Sequence, residues 1–425
     1  MPVQRFIRHE KSGGIVLGIS VIIALILANS PWAEYYFQFF EQKIGFTIND
    51  KPYLNFDLYH WINDGLMAMF FFVVGLELKR EFIAGELSNI RKTILPIGTA
   101  IGGMIVPALI YLYFNSAEPT AKGWAIPMAT DIAFALGVLY LLGNRVPLSI
   151  KVFLTALAIV DDLGAVLVVA FFYTSDISVL SLIIGLGFAL VMYLANRMGV
   201  KNVIFYAVLG IGGVWITFLM SGVHATIAAV LAAFMIPADS RINENSFIAR
   251  INKLLRRFKE ADFNDKCTLE NEQIHILDRI REDTNSAIPP LQRLEYTMHP
   301  LVAFVVMPIF ALANAGVSFR DVNFEILFST NVALGVAAGL LFGKVIGVVG
   351  TSVLLIKLKI ATPLTGMTKR RLLGVGFLAS IGFTMSMFIT TLAFSDPAHL
   401  VQAKIGIFTA SILGGSIGYW LLSKK

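Results

Sequence analysis

The sequence predicts an all-α polytopic membrane protein with twelve transmembrane helices, and three observations predict it. First, 56% of the 425 residues are hydrophobic and only 15% are charged, against about 25% charge in an ordinary globular domain. Second, apolar runs of 15 to 25 residues recur twelve times between charged or Pro/Gly-bearing breaks, and a helix needs ~20 apolar residues to cross a ~30 Å hydrocarbon core. Third, when the chain is threaded back and forth at those breaks, 28 lysines and arginines fall on one side and 5 on the other, with Lys344 inside a span. Without the long stretch 238–293 the ratio is still 18 to 5, so both termini are expected in the cytoplasm. This pattern excludes a soluble enzyme and a single-anchor receptor. The formal net charge of +6 is explained by the loop bias, and no nucleic-acid partner is needed to account for it. A lone cysteine, Cys267, forms neither an internal disulfide nor a thiolate metal site.

The expected spans run over 13–30, 58–84, 94–114, 123–142, 150–173, 178–196, 202–218, 223–236, 296–316, 331–356, 372–394 and 402–422. Arg5, Arg8 and Lys11 before the first run also fit a secretory signal peptide, but the eleven stretches that follow favour a retained span. The chain divides into spans 1–8 (1–237), a charged cytoplasmic insertion (238–293) and spans 9–12 (294–425), all within one integral membrane domain. Between the first two spans, Ile44, Phe46 and Ile48 alternate, then Tyr53, Leu54 and Phe56 follow an Asn49-Asp50 turn. This fits a short external β-hairpin over 44–57, or an unstructured loop. In the insertion, Phe247, Ile251, Leu254 and Phe258 recur at helical spacing among Arg250, Lys253, Arg256, Arg257 and Lys259. That helix either lies on the anionic inner leaflet or forms part of a small cytoplasmic helical hairpin.

Charged side chains inside spans are costly, at least ~2.5 to 3.5 kcal/mol each near the bilayer centre, and each is therefore a functional candidate. Here they are Asp64, Glu77, Asp131, Asp161, Asp162 and Lys344, with His224 and Glu295 at the starts of spans 8 and 9. Asp161-Asp162 has about ten apolar residues on either side. Two adjacent carboxylates at mid-depth cannot both stay ionised and unpaired, because desolvation and like charge both penalise that state. They must bind cations, share protons or pair with a base, and Lys344 is the intramembrane base available. Neighbours on a helix point about 100° apart, so one carboxylate can face a cavity while the other faces a packed helix.

Span 4 places Pro127, Thr130 and Asp131 near its midpoint, and span 11 carries Ser380, Gly382, Thr384 and Ser386 at similar depth. Proline removes a backbone hydrogen bond and disfavours helix in the residue before it. Interrupted helices at matching places in two halves point to an inverted-repeat transporter site, whereas a simple proline kink is the plainer reading of span 4.

Several stretches together resemble one family. Trp61-Ile62-Asn63-Asp64, Val74 to Glu81 (VGLELKRE), Ala129 to Gly137 (ATDIAFALG), Asp161 to Gly164 (DDLG), Ser221 to Thr226 (SGVHAT), Phe310 to Gly316 (FALANAG) and Ile381 to Ser386 (IGFTMS) are similar to the NhaA-type bacterial sodium/proton antiporters. The resemblance runs in order through nearly the whole chain. It implies an inverted repeat of spans 3–5 and 10–12, with spans 4 and 11 broken and crossing at the midplane. It implies that Asp162 is the principal cation-binding carboxylate and Asp161 its partner, paired with Lys344 in one state. Thr130 would line the site, Asp131 would offset helix N-termini and Lys344 helix C-termini at the crossing. Glu77, Arg80, Glu81, His224 and Glu295 would serve pH control at the cytoplasmic mouth, and the hairpin 44–57 would join a homodimer. The long connection between spans 8 and 9, and Tyr296 after Glu295, depart from short family members, so no threshold pH carries over.

The function this implies is a non-enzymatic, electrogenic exchange of Na⁺, with Li⁺ as second substrate, for H⁺ across the bacterial inner membrane, regulated by pH and without a cofactor. No GxxxxGK[ST] phosphate loop occurs, since Gly343-Lys344 is followed by Val345. The alternatives are a Na⁺-coupled solute symporter and, further off, an intramembrane aspartyl protease, whose two aspartates would come from separate helices.

Overall fold

The computed structural model of the protein describes residues 10–48, 51–85, 88, 90–174, 177–261, 268–318 and 330–424. Among them, nine helices are long and apolar enough to cross a membrane, and one bent pair adds a tenth. The long helices are α1 (Glu10–Asn29), α3 (Leu58–Ala84), α4 (Ile90–Phe114), α6 (Leu148–Phe172), α7 (Val179–Arg197), α12 (Pro290–Asn314), α13 (Asn331–Lys357) and α16 (Pro397–Ser423). The ninth, Thr120–Leu141, is a 3₁₀ segment, Thr120–Met128, followed after a break by α5 (Ile132–Leu141). The bent pair is α14 (Lys369–Ala379) and α15 (Phe383–Ala393), which meet at 43°. Two further apolar helices, α8 (Val203–Leu219) and α9 (Ala225–Met235), have 17 and 11 residues; at 1.5 Å per residue the second is too short to cross a hydrocarbon core alone.

The chain marks its own helix starts. Asp57 Oδ1 accepts the His60 amide at 2.7 Å, Asn202 Oδ1 that of Ile204 at 3.0 Å, Thr368 Oγ1 that of Arg371 at 3.2 Å and Asp396 Oδ1 that of Ala398 at 2.9 Å, each satisfying a donor the helix leaves open. The packed interior is formed by α3, α4, α6, α13 and α15, where Phe71, Tyr111, Phe153 and Phe388 are buried. The outer helices turn apolar side chains outward instead: Leu180, Ile183, Leu186 and Leu190 of α7 and Ile19, Ile22 and Ile26 of α1 are exposed. That arrangement is costly in water and favourable in lipid.

A short helix, α2 (Ala33–Phe40), leads into β1 (Lys43–Ile48) and β2 (Lys51–Asp57), which pair antiparallel with Lys43 opposite Asp57 and Ile48 opposite Lys51. The pairing is irregular between Ile44 and Phe46. Gly45 sits at that irregularity, where a Cβ would lie 2.5 Å from the Asn55 Cα. The strand pair expected over 44–57 is therefore present, while its turn, Asn49-Asp50, lies outside the described residues. Trp61 Nε1 donates to the Ile44 carbonyl at 2.9 Å and ties the sheet to α3.

In the insertion, α10 (Glu244–Glu260) and α11 (Asn271–Ala287) pack on each other, with Leu254 and Ile276 buried and Arg250 paired to Asp283 at 3.3 Å. The helix expected from Phe247, Ile251, Leu254 and Phe258 is thus present, paired with a second one. The two ends of this helical hairpin meet: the amides of Arg241 and Ile242 donate to the Ser286 carbonyl at 2.9 and 3.3 Å.

Candidate functional site: a buried carboxylate pair beside two broken helices

The site begins with the close approach of α4 and α13. A Cβ on Gly343 would lie 2.6 Å from the Pro107 Cα, and one on Gly347 3.0 Å from the Gly103 Cα. Only glycine lets these backbones meet, as small residues do between membrane helices. The result brings Lys344, on the same turn, against α6. Its Nζ donates to Asp161 Oδ2 at 2.5 Å and to the Met128 carbonyl at 2.5 Å, and Lys344, Asp161 and Asp162 are all fully buried.

The Met128 carbonyl ends the 3₁₀ segment, so the ammonium neutralises a buried helix C-terminus as well as a carboxylate. Across the break the charge is reversed. Asp131 Oδ1 accepts the Phe134 amide at 3.0 Å at the start of α5, while Oδ2 accepts the Thr384 amide at 3.0 Å and its hydroxyl at 2.5 Å at the start of α15. One buried carboxylate thus caps two helices.

The two breaks are also stitched together directly. The Asp131 amide donates to the Ile381 carbonyl at 2.6 Å, Thr130 Oγ1 to the Ala379 carbonyl at 2.8 Å and Ser386 Oγ to the Ile126 carbonyl at 2.8 Å. The proline, threonine and aspartate of span 4 are therefore parts of a broken helix and not of a kink. Thr130 also lies beside Asp161.

Asp162 differs from every other charge at this depth. Both its carboxylate oxygens, and Asp161 Oδ1, are buried without a hydrogen-bond partner among the described residues. A buried carboxylate in that condition costs several kcal/mol unless something positive reaches it. Two oxygen-bearing groups side by side, one held by Lys344 and one open, suit a small hard cation or protons.

A second cluster lies toward the other end of α3. Arg80 reaches Glu295 Oε1 on α12 at 3.2 Å and Glu81 Oε1 at 3.1 Å, and Glu295 Oε2 is buried without a partner among the described residues. Glu77, one turn earlier, lies within electrostatic reach of both Glu295 and Asp162, so it stands between this cluster and the central carboxylates. The structure brings together four of the five residues expected to act in pH control. It does not bring His224 to them: His224 Nδ1 lies 3.6 Å from Asp64 Oδ1. Asp64 is thirteen residues before Glu77 on the same helix, which places the two about 20 Å apart at 1.5 Å per residue.

Some participants were assigned no role by the sequence reading. Lys79 Nζ donates to the carbonyls of Phe234, at 2.7 Å, and Ile236, capping the C-terminus of the short helix α9. His60 pairs with Asp64; its spacing of four residues was the one available hint. Asn314 donates to Asn63 Oδ1 at 2.9 Å in the interior between α12 and α3.

The profile of the family described as "Na+/H+ antiporter 1" matches residues 4–422. The chain is 47% identical over its whole length to the protein named Na(+)/H(+) antiporter NhaA 2 of Syntrophotalea carbinolica, covering 96% of that relative. It is 48% identical over 99% of its length to Na(+)/H(+) antiporter NhaA of Oleidesulfovibrio alaskensis, covering 93% of it, and 46% identical over 99% to that of Acidithiobacillus ferrooxidans, covering 97%. With a buried carboxylate pair, a lysine counter-charge and two interrupted helices at its centre, this chain belongs to the Na⁺/H⁺ antiporter 1 family.

Proposed function

We propose that the protein is a secondary active Na⁺/H⁺ antiporter, with Li⁺ as a second substrate, that exports sodium in exchange for protons. The observation that carries this reading is Asp162, whose two buried oxygens have no partner among the described residues, next to an Asp161 held by Lys344. Sodium and protons then compete for the same oxygens. With one proton on Asp162 and one on the Lys344 ammonium, a Na⁺ that engages both aspartates displaces the first and breaks the ion pair. The freed lysine, buried without a counter-charge, sheds the second proton. Two protons exchanged for one Na⁺ make the cycle electrogenic and driven by membrane potential, without ATP.

The wider arrangement completes the proposal. We read the nine long helices, the bent pair and the two shorter helices as twelve spans, with spans 3–5 and 10–12 forming an inverted repeat whose broken members cross at the midplane. The excess of lysine and arginine on one side supports cytoplasmic termini in a bacterial inner membrane. The Glu77, Arg80, Glu81 and Glu295 cluster then faces the cytoplasm and serves as the pH-control element, and the strand pair 43–57 faces outward as the homodimer contact.

The test is purified protein in sealed proteoliposomes with a pH-sensitive dye. Adding Na⁺ or Li⁺ alone should move protons in the wild type, and Asp162→Asn should abolish that flux while leaving a folded protein. Full flux in this variant would sink the assignment. A requirement for an added organic solute would favour the symporter reading instead. The protease reading has little to stand on, because the two aspartates are neighbours on α6 and do not converge from separate helices.

A further inference from the structure

At the end of α3 away from the Arg80 cluster, two histidines share one carboxylate. His60 Nε2 lies 2.9 Å from Asp64 Oδ2, and His224 Nδ1, from the start of α9, lies 3.6 Å from Asp64 Oδ1. The His60 side chain is 43% exposed, whereas Asp64 and His224 are 13% and 14% exposed. Phe56 of β2 stacks on the His60 ring at 4.4 Å, and the His224 ring meets the edge of Phe388 at 5.7 Å. Phe388 belongs to α15, one turn beyond the Thr384 that Asp131 caps. The backbone at Asp64 forms a wider π turn, Trp61–Leu66, a distortion that recurs at functional sites. The other titratable groups nearby are Asp57 at the end of β2 and Tyr59, and among the described residues no lysine or arginine is paired with Asp64.

We propose that His60, Asp64 and His224 form a proton-binding site at the outer mouth, which takes protons from the external solution and passes them inward toward the central carboxylates. This rests on the antiport reading and on the outward placement of the 43–57 strand pair. The step in exposure sets His60 at the surface and Asp64 and His224 inside, and the contact of His224 with Phe388 places the inner end against α15. Imidazole exchanges protons near neutral pH, and the shared carboxylate stabilises whichever imidazolium forms. Such a site matters most when outside protons are scarce, because at acid pH water delivers them directly. The 3.6 Å separation of His224 from Asp64 exceeds a good hydrogen bond and is bridged by a small side-chain rotation or a water molecule.

The experiment is Na⁺-driven proton flux in right-side-out membrane vesicles, with inner pH held fixed while outer pH is varied, for wild type, His60→Leu and Asp64→Asn. Both variants should lose about tenfold in rate at an outer pH of about 8.5 and less than twofold at about 6.5, with the dependence on inner pH and the KM for inner Na⁺ unchanged. Equal losses at both outer pH values would mean a structural role and overturn the assignment, as would an unchanged outer-pH profile. A wild type without Na⁺-dependent flux would overturn the antiport reading and this assignment with it, so the two failures are told apart by the wild-type trace.

Discussion

Lys344 Nζ lies 2.5 Å from Asp161 Oδ2, and neither side chain has any exposed surface. Breaking a buried pair by removing one partner leaves an uncompensated charge, at a cost of about 3 to 5 kcal/mol. Lys344→Ala should therefore lower the melting temperature strongly, and Asp161→Asn should do so as well. The double variant Asp161→Asn/Lys344→Ala should recover much of the loss. Thermal unfolding of the three detergent-purified proteins measures this, and additive losses in the double variant would show that the two charges do not depend on each other.

Asp162 predicts the opposite sign for stability. Its oxygens have no partner among the described residues, so Asp162→Asn replaces a buried carboxyl group that makes no hydrogen bond, and no bond is lost. The variant should unfold at the same or a higher temperature than wild type while its Na⁺-dependent flux disappears. A loss of stability of the size seen for Lys344→Ala would argue that an interaction of Asp162 had been broken.

Asp131 accepts from the amides of both Phe134 and Thr384. Asp131→Ala leaves two helix starts uncapped inside the protein, and at about 1 to 2 kcal/mol per cap should cost roughly 2 to 4 kcal/mol. Asp131→Asn keeps one acceptor oxygen in place and should cost less than half of that. Chemical or thermal unfolding of the two variants, compared with the Na⁺ KM of each, separates capping from charge.

Sodium that displaces protons from the same groups must bind more weakly as protons become abundant. Where one proton is released per Na⁺ bound, the apparent KM should rise about tenfold for each pH unit of acidification, and where two are released about a hundredfold. Activity is therefore lost as pH falls and is fully present above the range in which the site titrates. Measuring Na⁺ KM at four or five pH values gives the slope, and a flat dependence would exclude direct competition.

The helical hairpin of the insertion closes on itself, with the amide of Arg241 donating to Ser286 at 2.9 Å. Its removal between 243 and 285, with a short Gly/Ser linker, should leave the membrane part undisturbed, because the cut ends are already neighbours. Transport in proteoliposomes should remain within a fewfold of wild type. A complete loss would mean that α10 and α11 act on the transport site.

Much of this protein was legible residue by residue. Asp161-Asp162 stood out because two charges at mid-span have no cheap alternative explanation, and Pro127, Thr130 and Asp131 marked a weak point in span 4 because each weakens or charges the helix locally, with a broken helix and a simple kink both open. The strand pair 43–57 was legible in its alternation. Lys79 and His60 were not, since a lysine near a helix end or a histidine before an apolar run is ordinary until its neighbour is known. His224 shows the other limit: its motif pointed to pH control at the cytoplasmic mouth, yet it lies beside Asp64 and far from Arg80.

The sequence by itself determined that this chain lives in a membrane, roughly where it crosses, and which charges are buried there, because hydropathy and charge are properties of short stretches. The pairing of Lys344 with Asp161 was implied by the resemblance, but only the tertiary structure shows the contact made across 183 residues of chain and Asp162 left without a partner among the described residues. It also decided that one aspartate caps two helices. Those outcomes depend on which helices approach closely enough, here through Gly343 and Gly347 against α4, and on desolvation that makes every buried charge seek a partner.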